Sequence, residues 1–151
     1  WGGPHLLAGG FARLPGYAGP LNVSGEVRAR GLTNGHLWDT GVVLAYDLAG
    51  ADPACAARIA HWARRPCGVA IHVGERCEDD ELGGHFWDAQ QAPTDPWPGL
   101  VYLPSPSGAA RADAVEVITG VPLPRCAGRA VVVSDADGRA AACALLRWAG
   151  G

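Results

Sequence analysis

The side chains in this chain best suited to metal or redox chemistry are five histidines and five cysteines. His72 lies in the apolar run VAIHV, where strand alternation places it on the same face as Ala70, two residues earlier. A histidine there reads either as a metal ligand or as a core side chain satisfied by a hydrogen bond. His5, His36 and His61 stand isolated among turn or surface residues and read as solvated. The cysteines lack the paired Cys-x-x-Cys spacing of a structural zinc site, so zinc held by cysteine is not expected. Cys55 and Cys67 flank what would be a hairpin, where opposed residues come within disulfide reach, and an odd cysteine is left over. Asn22-Val23-Ser24 is an N-glycosylation triplet.

Other chemistries find no support. The chain has no serine elbow with histidine and aspartate partners and no glycine-rich phosphate loop opening a helix. Twelve Lys and Arg are scattered among 15 Asp and Glu, with a formal charge of −3, so no concentrated basic face offers itself to nucleic acid. No apolar run approaches the roughly 20 residues of a bilayer span, and no charged region precedes an apolar stretch as in a signal peptide. The chain opens on Trp1 and contains no methionine, which reads as a processed product or a segment of a longer polypeptide.

The elements that would position these residues are short. With 22 glycines and 12 prolines spread along 151 residues, long helices are disfavoured and an all-β sandwich or barrel is expected. Strands are predicted at 21–31, 38–47, 55–62, 67–74, 100–104, 113–119, 129–135 and 139–147, eight in hairpin order, as suits a Greek-key sandwich. Asn34-Gly35 and Asp137-Gly138 are tight-turn pairs between apolar runs and predict antiparallel neighbours. Residues 1–19, rich in Gly and Pro without periodicity, read as an N-terminal arm or linker ahead of a domain over 20–151. Residues 52–65 carry two readings: Asp52-Pro53 and Pro66 bracket an alanine-rich stretch as a helix would be written, whereas Cys55, Ala57 and Ile59 alternate as in a strand.

Four segments read in order, GVAIHVGERC (68–77), GGHFWD (83–88), CAGRAVVVSD (126–135) and AAACALL (140–146), resemble copper/zinc superoxide dismutases. The nearest likeness is to the copper-only branch, which includes domains strung as repeats in long secreted proteins. The resemblance covers about residues 20–147 and implies an eight-stranded Greek-key sandwich in which 55–62 is a strand. It pairs Cys77 with Cys143, and Cys126 then reads as the unpaired structural thiol. It also maps the family's copper ligands onto Ala70, His72, His85 and Ser134. A methyl group is no copper ligand and a neutral hydroxyl is a poor one, so His72 and His85 are the residual copper positions. Two such imidazoles suit Cu(I) better than divalent copper, with Glu75, Asp88 or Asp135 near enough in sequence to add a carboxylate.

The remaining family features are missing. No histidine follows His85, so a zinc site is not expected; the long steering loop before the last cysteine is reduced to a hairpin. The guiding arginine's position is Ala140, and Arg139 beside it points to the opposite strand face. The expectation is therefore a catalytically inactive superoxide-dismutase-like domain, a structural or interaction module in a larger exported assembly. Its partners would be proteins or neighbouring repeats, with no bound cofactor, in a secreted or oxidising luminal setting. The alternative is a copper-binding protein with weak dismutase or carrier activity. Six tryptophans are more than a small sandwich centre holds, which places some at an interface or over the open ends.

Overall fold

The computed structural model describes residues 1, 3–33, 39–57 and 66–150. They form two antiparallel sheets around one apolar core. Strands β1 (Leu6–Gly9), β3 (Ser24–Thr33), β4 (Asp39–Ala49), β6 (Ala110–Val117) and β9 (Arg147–Trp148) make one sheet, in the order β6-β4-β3-β1-β9. Strands β2 (Ala12–Arg13), β5 (Val69–Ile71), β7 (Ala130–Ser134) and β8 (Ala140–Leu145) make the other, in the order β2-β8-β7-β5.

Alternation builds the first sheet. Val27 and Ala29 of β3 and Val42, Leu44, Tyr46 and Leu48 of β4 turn into the core, while Arg28 and Arg30 turn out. The second sheet is apolar on both sides: Ala130–Val133 and Ala141–Ala144 are buried throughout, so their sequences AVVV and AACA show no alternation. Val69, Ile71, Val131 and Val133 are fully buried.

Nine strands are present among the described residues, and several differ from the sequence expectation. Residues 1–19 are not a separate arm. Within them β1 pairs with β3 and β9, β2 pairs with β8, and Leu6, Ala8, Leu14 and Tyr17 join the core. The following loop is clamped by Arg13, whose guanidinium donates to the carbonyls of Leu21 (3.0 Å), Tyr17 (3.3 Å) and Gly19. Residues 53–57 form a 3-10 turn instead of the start of a strand, because Asp52 caps it: Oδ1 accepts from the Ala54 N–H at 3.0 Å. The rest of that expected strand, 58–65, lies outside the described residues. At 100–104 only a single bridge forms, Gly68 to Val101, with the Tyr102 N–H on the Cys67 carbonyl. The last expected strand divides in two: Leu146 is fully buried between β8 and β9, and β9 crosses to the first sheet.

The β7–β8 hairpin closes as Asp137-Gly138 requires, but as a three-residue turn. Asp135 and Arg139 flank it, and only Gly138 takes a left-handed φ, of 81°. Asn34 and Gly35 lie outside the described residues, although β3 and β4 on either side pair antiparallel. Disulfides join Cys55 to Cys67 (Cα–Cα 5.9 Å) and Cys77 to Cys143 (5.6 Å). No helix among the described residues is long and apolar enough to cross a membrane.

Candidate functional site

β5 ends by handing His72 to a second partner. The His72 N–H donates to the Ala130 carbonyl on β7 at 2.7 Å, holding one side of the segment. On the other side the Gly83–Phe86 segment returns antiparallel: the Val73 N–H reaches the Gly84 carbonyl (2.9 Å) and the Phe86 N–H the Ile71 carbonyl (2.8 Å). His72 and His85 therefore face each other across an isolated bridge, with ring centroids 5.0 Å apart and planes at 85°.

Each ring is oriented through Nδ1. The His72 Nδ1 lies 2.9 Å from the Gly83 carbonyl, and the His85 Nδ1 lies 2.7 Å from Asp95 Oδ2. A carbonyl and a carboxylate only accept, so both Nδ1 atoms carry the proton and both Nε2 atoms keep a lone pair in the neutral rings. Burial, the largest influence, pushes the His72 pKa below the usual histidine value; the Gly83 carbonyl opposes this, His85 adds to it and Asp95 opposes it.

Asp95 is placed by the loop that carries it. Its Oδ1 accepts the Trp97 N–H at 2.9 Å, and the Trp97 indole donates to the Phe86 carbonyl at 3.0 Å. Trp97 is among the most deeply buried side chains of the molecule, so the loop is anchored on an aromatic plug. Asp95 has no strand periodicity to mark it; its one signal in the sequence is a carboxylate immediately before Pro96-Trp97.

The other positions of interest do not converge on this pair. Ala70 is 6% exposed and sits opposite Val132 on β7. The Ser134 N–H bonds to the Gly68 carbonyl, four residues before His72, which puts Ser134 roughly 13 Å along the strand from it. The Ser134 carbonyl accepts the Tyr102 hydroxyl at 2.5 Å. Arg139 is held at the hairpin, its Nε 3.0 Å from Asp135 Oδ2, with its guanidinium 5.5 Å from the Tyr17 ring centre. Asp88 caps its own turn through the Gln90 N–H, Asp135 organises the hairpin, and Glu75 is exposed. Among the described residues, no three His, Cys, Asp or Glu side chains are grouped to hold a metal ion. Ala70, His72, His85 and Ser134 do not fit a four-nitrogen copper centre, because Ala70 offers only a packed methyl group and Ser134 lies along the strand from His72.

His5 differs from expectation. It is buried rather than solvated, with Arg28 Nη1 2.8 Å from Nε2 and the Gly3 carbonyl 2.9 Å from Nδ1, because β1 belongs to the sheet beneath it. His36 and His61 lie outside the described residues, as do Trp38 and Trp62. Cys126 is a buried free thiol, its pKa pushed up to about 12 by burial against the weaker pull of Arg129 and Arg125. Among the tryptophans, Trp87 donates to the Ala92 carbonyl, and Trp1 and Trp148 are about half exposed. No protein-family model and no curated protein matches this chain.

Proposed function

We propose that this chain is a superoxide-dismutase-like Greek-key sandwich, closest to the copper-only branch, that serves as a catalytically inactive structural or interaction module in an exported assembly. The packing of Ala70 carries this reading. A residue in the place of a copper-binding imidazole is buried against Val132, so the position is filled by apolar contact. Arg139 supports it, because a guanidinium tied to Asp135 is not presented to an anion. The two disulfides favour a secreted or luminal setting. Half-exposed Trp1 and Trp148 flank the start of β1 and are the residue type that anchors protein partners, including neighbouring repeats. Superoxide decay measured with the copper-loaded, disulfide-bonded protein should equal that in buffer with the same free copper. Acceleration proportional to protein concentration would overturn the reading.

A second reading rests on the oriented imidazoles. With Nδ1 engaged on both rings, His72 and His85 present Nε2 lone pairs, and monovalent copper is content with two nitrogens. Competition against a Cu(I) chelator tests it: binding lost in both His72→Ala and His85→Ala supports a copper carrier, and binding indifferent to both removes it.

A further inference from the structure

We infer that Asn22 is an N-glycan acceptor and that the end of the molecule carrying the β7–β8 hairpin is consequently a solvent-facing end. The inference rests on the exported setting proposed above. The triplet Asn22-Val23-Ser24 leads into β3, and its burial alternates: Leu21 and Val23 are buried, whereas Asn22 and Ser24 are exposed. Asn22 and Ser24 are two apart in the chain and both face solvent, with apolar anchors between and before them. The backbone is fixed on either side. The Leu21 carbonyl accepts Arg13 at 3.0 Å, and the Asn22 carbonyl packs against the Cα of Gly50, whose φ of 73° and missing side chain permit that approach. Neither Asn22 nor Ser24 supplies a side chain to the core, so a bulky glycan displaces no packing.

Neighbouring contacts locate the site. Gly50 leads to Ala51, bonded to the Gly108 carbonyl, and to Asp52, whose Oδ2 accepts the Ala136 N–H of the hairpin at 2.8 Å. The hairpin begins beyond Ser134, at one end of β7, while His72 is bonded to Ala130 at the other. A glycan on Asn22 would shield the hairpin end and leave the histidine end clear for a neighbour.

The transfer is a substitution at an anomeric carbon. The Asn22 amide nitrogen bonds to the first sugar of a lipid-diphosphate-linked oligosaccharide, the carbon–oxygen bond to the diphosphate breaks, and the diphosphate leaves with the bonding pair and the amide proton. The whole chain, secreted from a eukaryotic host behind a cleavable leader, tests this by intact mass and peptide mapping before and after peptide-N-glycosidase. One glycan is expected on wild-type protein, with Asn22 converted to Asp on release, absent in Asn22→Gln and Ser24→Ala and retained in Ser24→Thr. Secreted protein with both disulfides formed and Asn22 unmodified would overturn the inference while leaving the exported reading intact. Chain secreted only with reduced cysteines, or not at all, would overturn both.

Discussion

Asp135 and Asp95 are carboxylates placed at opposite ends of the β5–β7 pair, and the protein uses them differently. Asp135 is 1% exposed and surrounded by donors from its own chain: the Asp137 and Arg139 N–H groups on Oδ1, and Arg139 Nε and the Tyr17 hydroxyl on Oδ2. Three of these contacts close the hairpin, and the fourth ties it to the loop after β2. Asp95 accepts the Trp97 N–H on Oδ1 and orients the His85 imidazole through Oδ2; that ring faces a second imidazole, and among the described residues no hydrogen bond engages either Nε2. One end is a closed network that specifies a turn; the other keeps nitrogen lone pairs that structure alone does not require. Of the two carboxylates, Asp135 should therefore contribute more to stability, and any ligand capacity should lie at the histidine end.

The largest effect should come from the disulfide nearer the histidine end. Cys77 and Cys143 are 66 residues apart, against 12 for Cys55 and Cys67. On the chain-entropy model, replacing the first pair by alanine should cost about 4 kcal/mol and the second about 3 kcal/mol. Urea unfolding measures both, and a reversed order would mean that strain or denatured-state structure dominates. Next, Asp135→Ala should lower stability by about 3 kcal/mol, because it strands the buried Tyr17 hydroxyl and two turn N–H groups; a half-exposed Arg139 recovers water and limits the loss. Asp95→Asn should cost less, about 1 kcal/mol, since the amide keeps an oxygen acceptor at a more accessible site and strands no buried hydroxyl. Nitrogen chemical shifts of His85 should then report loss of the fixed Nδ1–H tautomer. Equal losses for the two aspartates would erase the distinction between the ends.

The smallest expected change is a slope with pH. Burial lowers the folded-state pKa of His72, so below about 6.5 the unfolded chain binds its proton first. The stabilising contribution is complete above that pH and is lost as pH falls through the unfolded value toward the folded one. Urea midpoints between pH 8 and pH 5 should fall on acidification, and the fall should be shallower in His72→Gln. An unchanged slope would show that His72 is not held neutral. At neutral pH, Cys126 should resist alkylation in the native state and react on unfolding, as its burial and pKa pushed up to about 12 require.

The regular parts of this fold were readable because their physics is local. Val27 and Ala29 against Arg28 and Arg30 announce a half-buried strand, the uninterrupted AVVV announces a fully buried one, and Asp137-Gly138 announces the turn after it. β1 was hidden because its alternation lasts only from Leu6 to Ala8 inside a Gly- and Pro-rich stretch, and its pairing with β3 is a long-range choice. Residues 53–57 show the reverse case, where the cap and proline that favour a helical start prevail locally over apolar alternation. Asp95 was out of reach because its position depends on how the loop is pinned by Trp97, which no spacing in the sequence encodes.

The most direct test of the scaffold reading is the copper content of the oxidised protein after incubation with divalent copper and desalting. With Ala70 packed against Val132 and Ser134 remote from His72, the expected result is copper far below stoichiometric, unchanged in His72→Ala. Stoichiometric divalent copper that survives desalting and disappears in His72→Ala would contradict it.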